Sequence, residues 1–180
     1  MQHKESRNLL TGIVFSLLFG TLAHFIYGWS GNHPVAGLFF PVNESVWEHM
    51  KLIFFPILFY TIYEVTVYLK LNPHFLSARL LGILAGTFLM PCLFFTYTGF
   101  LGRSLLPLDL CIFVLCVLTA FFLSRYLEVS ATELSLPFFV LFIILLFFLL
   151  LFFSFTYVPP NLPLFWQPER LRQITAAYTF

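Results

Sequence analysis

Apolar runs long enough to cross a bilayer alternate with short polar breaks along almost the whole chain. A hydrocarbon core of about 30 Å needs roughly 17–25 helical residues at about 1.5 Å each. Five runs meet that length: 9–28, 52–69, 80–100, 108–126 and 136–158. The first follows a basic start, as a signal peptide would. It exceeds the usual apolar length of such a peptide, however, and no clear small-residue cleavage site follows it, so it reads as a retained span. The second run extends backwards, because a helix is predicted from Ser45 to Lys70, about 39 Å long, whose first two turns stand out of the membrane before Leu52 enters it. Pro56 and Pro91 fall inside spans and predict kinks.

The polar breaks differ in character. Trp29 to Pro41 carries the turn residues Gly31, Asn32, Pro34 and Gly37 and a short apolar patch, Leu38–Phe40, suited to a re-entrant or lid-like loop. Residues 70–79 read as a basic loop, 101–107 as a tight one and 127–135 as a polar one with Glu128 and Glu133. No repeat of 20–50 residues is visible. The predicted fold is a single all-α membrane domain, residues 1–180, a bundle of about five transmembrane helices with a proline-rich tail from 159 onwards.

Composition supports this. Only 9% of residues are charged, against about 25% in soluble domains, so most of the surface must face lipid. A net charge of +1 without a basic stripe argues against nucleic-acid binding. Cys92, Cys111 and Cys116 lie in apolar runs without zinc-type spacing and read as small hydrophobes.

Five spans place the termini on opposite sides. With the N-terminus inside, Lys4, Arg7, Lys70, Arg79 and Arg125 are cytoplasmic, and Lys51, Arg103, Arg170 and Arg172 lie outside. Lys4 and Arg7 flank the first span, which favours the N-in arrangement. The start of the second helix and the C-terminal tail then share the outer face.

That helix start carries the densest polar run in the chain, Asn43-Glu44-Ser45-Val46-Trp47-Glu48-His49-Met50-Lys51. Ser45 and Glu48 have capping-box spacing, Glu44 complements the helix dipole, Trp47 suits the headgroup level, and Lys51 can snorkel to phosphates. Asn43 is a second capping candidate, and His49 is left over. The alternative is a site. Glu44 and Glu48, four apart, share one helix face on this reading, with Lys51 one turn on. His49 points about 100° away, toward Ser45 and Ile53. With His24 near the outer end of the first span and His33 in the loop, these residues make a plausible divalent-metal set or acid/base pair. The spacing is neither H-E-x-x-H nor the E-x-x-H of di-iron bundles.

Glu64 is an acid within an apolar span; pairing with Arg79 or Lys70 is the plain explanation, and a cation-handling role the sharper one. Gly82 and Gly86 form G-x-x-x-G, which lets a second helix approach, within the chain first and in a partner membrane protein second. Four prolines between Pro159 and Pro168 predict an extended strap or interfacial anchor beside the polar run.

The stretch Pro41–Leu52, His33 upstream and Pro159-Pro160-x-x-Pro163-Leu164-Phe165 downstream together resemble an uncharacterised, domain-of-unknown-function family of small bacterial multi-pass membrane proteins. The resemblance covers nearly the whole chain. It departs at Gln167, where the family carries an aspartate, and over Leu171–Phe180. It implies a bacterial plasma membrane with the N-terminus inside and the motif outside, and it brings no activity.

Three functions are compatible with these residues. The first is binding of a small ligand or divalent metal at the Glu/His cluster, with enzymatic activity open. The second is a non-catalytic scaffold or partner subunit whose motif is only a cap and anchor. The third, a small carrier using Glu64 and the proline kinks, lacks the broken-helix pair and the repeat symmetry of known carriers.

Overall fold

The computed structural model describes residues 2–69, 71–130, 136–167 and 169, with side chains from residue 8 onwards. The orientation arguments from Lys4, Arg7, Lys70, Arg170 and Arg172, and the expectations for Glu133, Pro168 and Leu171–Phe180, concern side chains or residues outside this set. Among the described residues the chain is helical with no strand. The helices are α1 (Gln2–Trp29), α2 (Pro34–Phe39), α3 (Val46–Tyr68), α4 (Pro73–Leu101), α5 (Leu106–Val129) and α6 (Phe138–Tyr157), followed by a 3₁₀ turn at Pro163–Phe165.

Five of these, all but α2, are long and apolar enough to cross a membrane. A helix satisfies its own backbone donors and acceptors, so it is the element that such sequences adopt in lipid. These five helices fall on the five predicted apolar runs, with different ends. The basic loop expected over 70–79 is mostly helix, because Asn72 caps α4 by accepting from the His74 N–H at 2.9 Å and Pro73 occupies the first helical position. Leu69 and Gly102 end α3 and α4 with positive φ. Pro56 and Pro91 lie within continuous helices. The segment expected to be a lid-like loop holds the short helix α2, started by His33 and Pro34. The tail, expected to be extended, turns at Pro163–Phe165 so that Phe165 packs 5.0 Å from the Trp47 ring.

α3 is the central helix. From Val46 to Ile57 every residue except His49 is buried, the pattern of a helix surrounded on all sides. Phe54, Phe55, Ile53 and Ile57 join Val117 and Phe121 of α5 and Phe152 of α6 in one core. α4 and α5 make the most extensive helix pair. Gly82 and Gly86 sit at that seam, where a Cβ would stand 2.3 Å from Ala120 O and 2.6 Å from Cys116 O respectively. The G-x-x-x-G spacing therefore serves close packing inside the chain. α6 lies outermost, with only Leu141, Phe152 and Thr156 buried.

Alternating helix directions bring the ends of α1, α4 and α6 and the starts of α3 and α5 to one end of the bundle, the motif end. α2 and the 3₁₀ turn lie there too. Glu64 and Arg79 pair nearer the opposite end, both buried, with the guanidinium also stacked 4.9 Å from the Phe121 ring. This is the plain explanation of the intramembrane acid.

Candidate functional site

Local chain geometry splits the polar run into two separate clusters. Asn43 Oδ1 accepts from the Ser45 N–H at 2.8 Å, an Asx turn just before the helix. Ser45 is the N-cap, and its hydroxyl accepts from the Glu48 N–H at 3.4 Å. Glu44 therefore precedes the helix and is not on the face it was expected to share with Glu48. The two carboxylates go in different directions.

Glu48 and Lys51 turn inward. The expected capping box is only half made, because the Glu48 carboxylate accepts from the Val42 N–H at 3.0 Å instead of from Ser45. Lys51 does not snorkel. It is 1% exposed, and Nζ donates to Glu48 Oε2 at 2.7 Å, Thr156 Oγ1 at 2.6 Å and Gly37 O at 2.8 Å. All three ammonium protons are thus accepted, which is what a buried lysine requires. Trp47 is likewise inside the protein, 4.9 Å from the Phe152 ring, and not a headgroup anchor. His33 accepts from the Val35 N–H at 3.3 Å as the exposed cap of α2, so it leaves the expected metal set.

Glu44 turns the other way, toward α1. Its Oε1 lies 3.5 Å from His24 Nε2, and its Oε2 lies 3.4 Å from His49 Nε2. The two imidazole rings are 5.2 Å apart. One ligand atom from each of the three residues fits within a mutual distance of 4.8 Å. Two ligand atoms held about 2.1 Å from a tetrahedral ion lie roughly 3.4 Å apart, and each histidine has that spacing to one oxygen of the Glu44 carboxylate, His24 to Oε1 and His49 to Oε2. His49 Nδ1 is 2.9 Å from Ser45 O. That carbonyl can only accept, so the Nδ1 carries the proton and the Nε2 turned toward Glu44 presents a lone pair when the ring is neutral. Two nitrogens facing two carboxylate oxygens need something positive between them: a proton or a metal ion. The hydrogen bond with His49 holds the Glu44 carboxyl below its usual pKa, against the opposing effect of its partial burial.

The cluster lines a cavity of about 340 Å³ between α1, α3, α4 and α5. Its walls include Leu52, Met90, Phe94, Leu110, Ile112 and Phe113. Asp109, in the first turn of α5, lines the same cavity. Its Oδ1 accepts from the Tyr97 hydroxyl, which in turn accepts from the Leu105 N–H at 3.2 Å. Asp109 and Thr156 were not singled out by sequence reasoning. Asp109 could have been: it is a carboxylate near the start of the fourth span, at the end that span counting assigns to the motif. Thr156 offers no such signal, since a hydroxyl in an apolar helix usually bonds its own backbone, as Thr156 also does to Phe152 O.

A smaller cavity of about 20 Å³ lies against Asn8, Glu64, Arg79 and Ser124. Arg79 Nε and Nη1 have no hydrogen-bond partner among the described residues.

No curated protein and no solved structure matches the chain. A family model does, over residues 1–178, described as a family of unknown function, DUF6512. The resemblance read from the motif and the proline tail is thereby borne out as far as an uncharacterised family. With five helices fit to span a membrane and a match of nearly full length, the chain belongs to the family of unknown function DUF6512.

Proposed function

We propose that this protein binds one divalent cation at the motif end of its helical bundle, through His24, Glu44 and His49. The carrying observation is the Glu44 carboxylate between two imidazole nitrogens, at 3.5 and 3.4 Å. Two nitrogens and one carboxylate favour zinc, or manganese or iron in its place, over calcium or magnesium. The positive charge of Lys4 and Arg7 before the first span supports placing this end on the outer face of a plasma membrane, and the family resemblance supports a bacterial one. The anchor-only reading of the motif has lost its two main residues, because the side chains of Trp47 and Lys51 lie inside the protein.

The test is metal content by mass spectrometry after detergent purification, stripping and reloading with zinc. Wild type is expected to retain about one ion per chain, and Glu44→Ala and His49→Ala to retain far less. His33→Ala, outside the cluster, should match wild type. Wild type without retained zinc, or Glu44→Ala with as much as wild type, refutes the proposal.

A further inference from the structure

We propose that the cavity beside this cluster is the active site of a membrane-embedded esterase for single-chain acyl esters, with Asp109 accepting the proton of the attacking water. This rests on the metal reading above and adds to it a substrate class and a reaction.

The cavity walls select an apolar chain. At roughly 30 Å³ per methylene, about the share of one water in the liquid, its 340 Å³ holds a chain on the order of ten carbons. Thr21 and Phe25 of α1 and Leu106 and Leu110 of α5 line it and are themselves exposed. These positions lie within spans, so the cavity is flanked by the lipid-facing surface on its α1–α5 side. A chain can reach it sideways from the bilayer without passing through water.

The charges select the head. The ionisable groups lining the cavity are His24, Glu44, His49 and Asp109. A divalent ion with Glu44 and Asp109 sums to zero while the histidines are neutral. A third anion, such as a fatty carboxylate, would leave an uncompensated charge in an apolar cavity. A neutral ester carbonyl does not, and it can be polarised by the ion. Three protein ligands also leave a coordination position open, as in catalytic rather than structural zinc sites.

The remaining part is a proton acceptor. Asp109 shares the cavity with the cluster, and Tyr97, itself held by the Leu105 N–H, fixes one of its oxygens. One water gives its proton to the Asp109 carboxylate and its oxygen to the ester carbonyl carbon. The ester C–O bond breaks, and the leaving alkoxide takes the proton back from Asp109. The products are one carboxylic acid and one alcohol, and no electron changes hands.

The experiment uses full-length protein in lipid nanodiscs, loaded with zinc, and reads the release of 4-methylumbelliferone from its octanoyl and acetyl esters. Zinc content is measured first, so failure of the metal reading is seen before any ester is added. The expected result is turnover of the octanoyl ester above protein-free and zinc-only blanks. Asp109→Asn should keep its zinc and its melting temperature and lose about 10²- to 10⁴-fold in kcat, the usual range for a general base. Thr21→Trp, which narrows the apolar wall of the cavity, should raise KM for the octanoyl ester several-fold more than for the acetyl ester. Zinc-loaded wild type without turnover overturns the esterase and leaves the metal site standing. Asp109→Asn at wild-type rate, or Thr21→Trp acting equally on both esters, overturns the roles assigned to Asp109 and to the apolar wall.

Discussion

Replacing Lys51 with methionine keeps the bulk of the side chain and removes its charge. In the folded protein this strands the Glu48 carboxylate, 2% exposed, with only the Val42 N–H and the Thr156 hydroxyl as donors. The Thr156 proton is already shared with Phe152 O at 2.7 Å. Gly37 O also loses its donor. Breaking a buried ion pair by removing one partner costs about 3–5 kcal/mol, because the surviving charge stays desolvated. At roughly 2–4 °C per kcal/mol for a chain of this size, Lys51→Met should lower the detergent melting temperature by about 6–20 °C. The double variant Glu48→Gln with Lys51→Met removes both charges and keeps an acceptor for Val42. It should recover most of that loss, since replacing both members of a buried pair is often close to neutral. Melting followed by tryptophan fluorescence reads the outcome, because Trp47 packs beside the network against Phe152. A single variant within about 2 °C of wild type, or a double variant as unstable as the single, would refute the account of Lys51 as a fully satisfied internal cation.

The Glu44 carboxyl should titrate below the ordinary glutamate value of 4.5. Its contribution to holding the motif loop against α1 is then complete above that value and lost as pH falls through the lowered one. Carbon-13 NMR of labelled glutamate, assigned by difference from Glu44→Gln, reads the midpoint, and one at or above the ordinary value contradicts the His49 contact. Gly82→Ala should destabilise by about 1–3 kcal/mol, as overpacking does, because its Cβ would meet the Ala120 carbonyl at 2.3 Å and backbone cannot yield cheaply. Gly99→Ala in the same helix, with nothing within 4 Å, should instead stabilise by up to about 1 kcal/mol through helix propensity alone; equal effects at the two positions would deny the α4–α5 seam.

Much of the fold is legible in the sequence because span length and apolar continuity are local properties. Ser45 as N-cap, and His49 on the side of Ser45, follow from the i, i+3 and i, i+4 geometry of one helix and are found as read. The pairing of Glu64 with Arg79 crosses from α3 to α4, but two helices joined by a short loop have little freedom to avoid it. Lys51 was misread for the opposite reason. Its partners Gly37 and Thr156 come from α2 and α6, and nothing near residue 51 announces them. Asp109 is a different case, since span counting alone puts that carboxylate at the motif end. Glu44 and Glu48 were assigned one helix face by counting, and a helix that begins two residues after Glu44 defeats that count. The two carboxylates therefore reached separate clusters, one facing the core and one facing the cavity.

The Lys51 network also bears on biosynthesis. Lys51 Nζ waits for a hydroxyl that lies 105 residues further along the chain. Until α6 has been made and inserted, the lysine and its glutamate can meet each other but not their third partner. α6 is nearly uniform in its apolar character and buries few side chains, so its generic grease cannot specify where it docks. Thr156 adds a polar address to the contacts of Phe152 in the core and of Tyr157, whose hydroxyl donates to Pro34 O. Docking of the last span then completes the set of acceptors around the buried lysine, which until that point is one short.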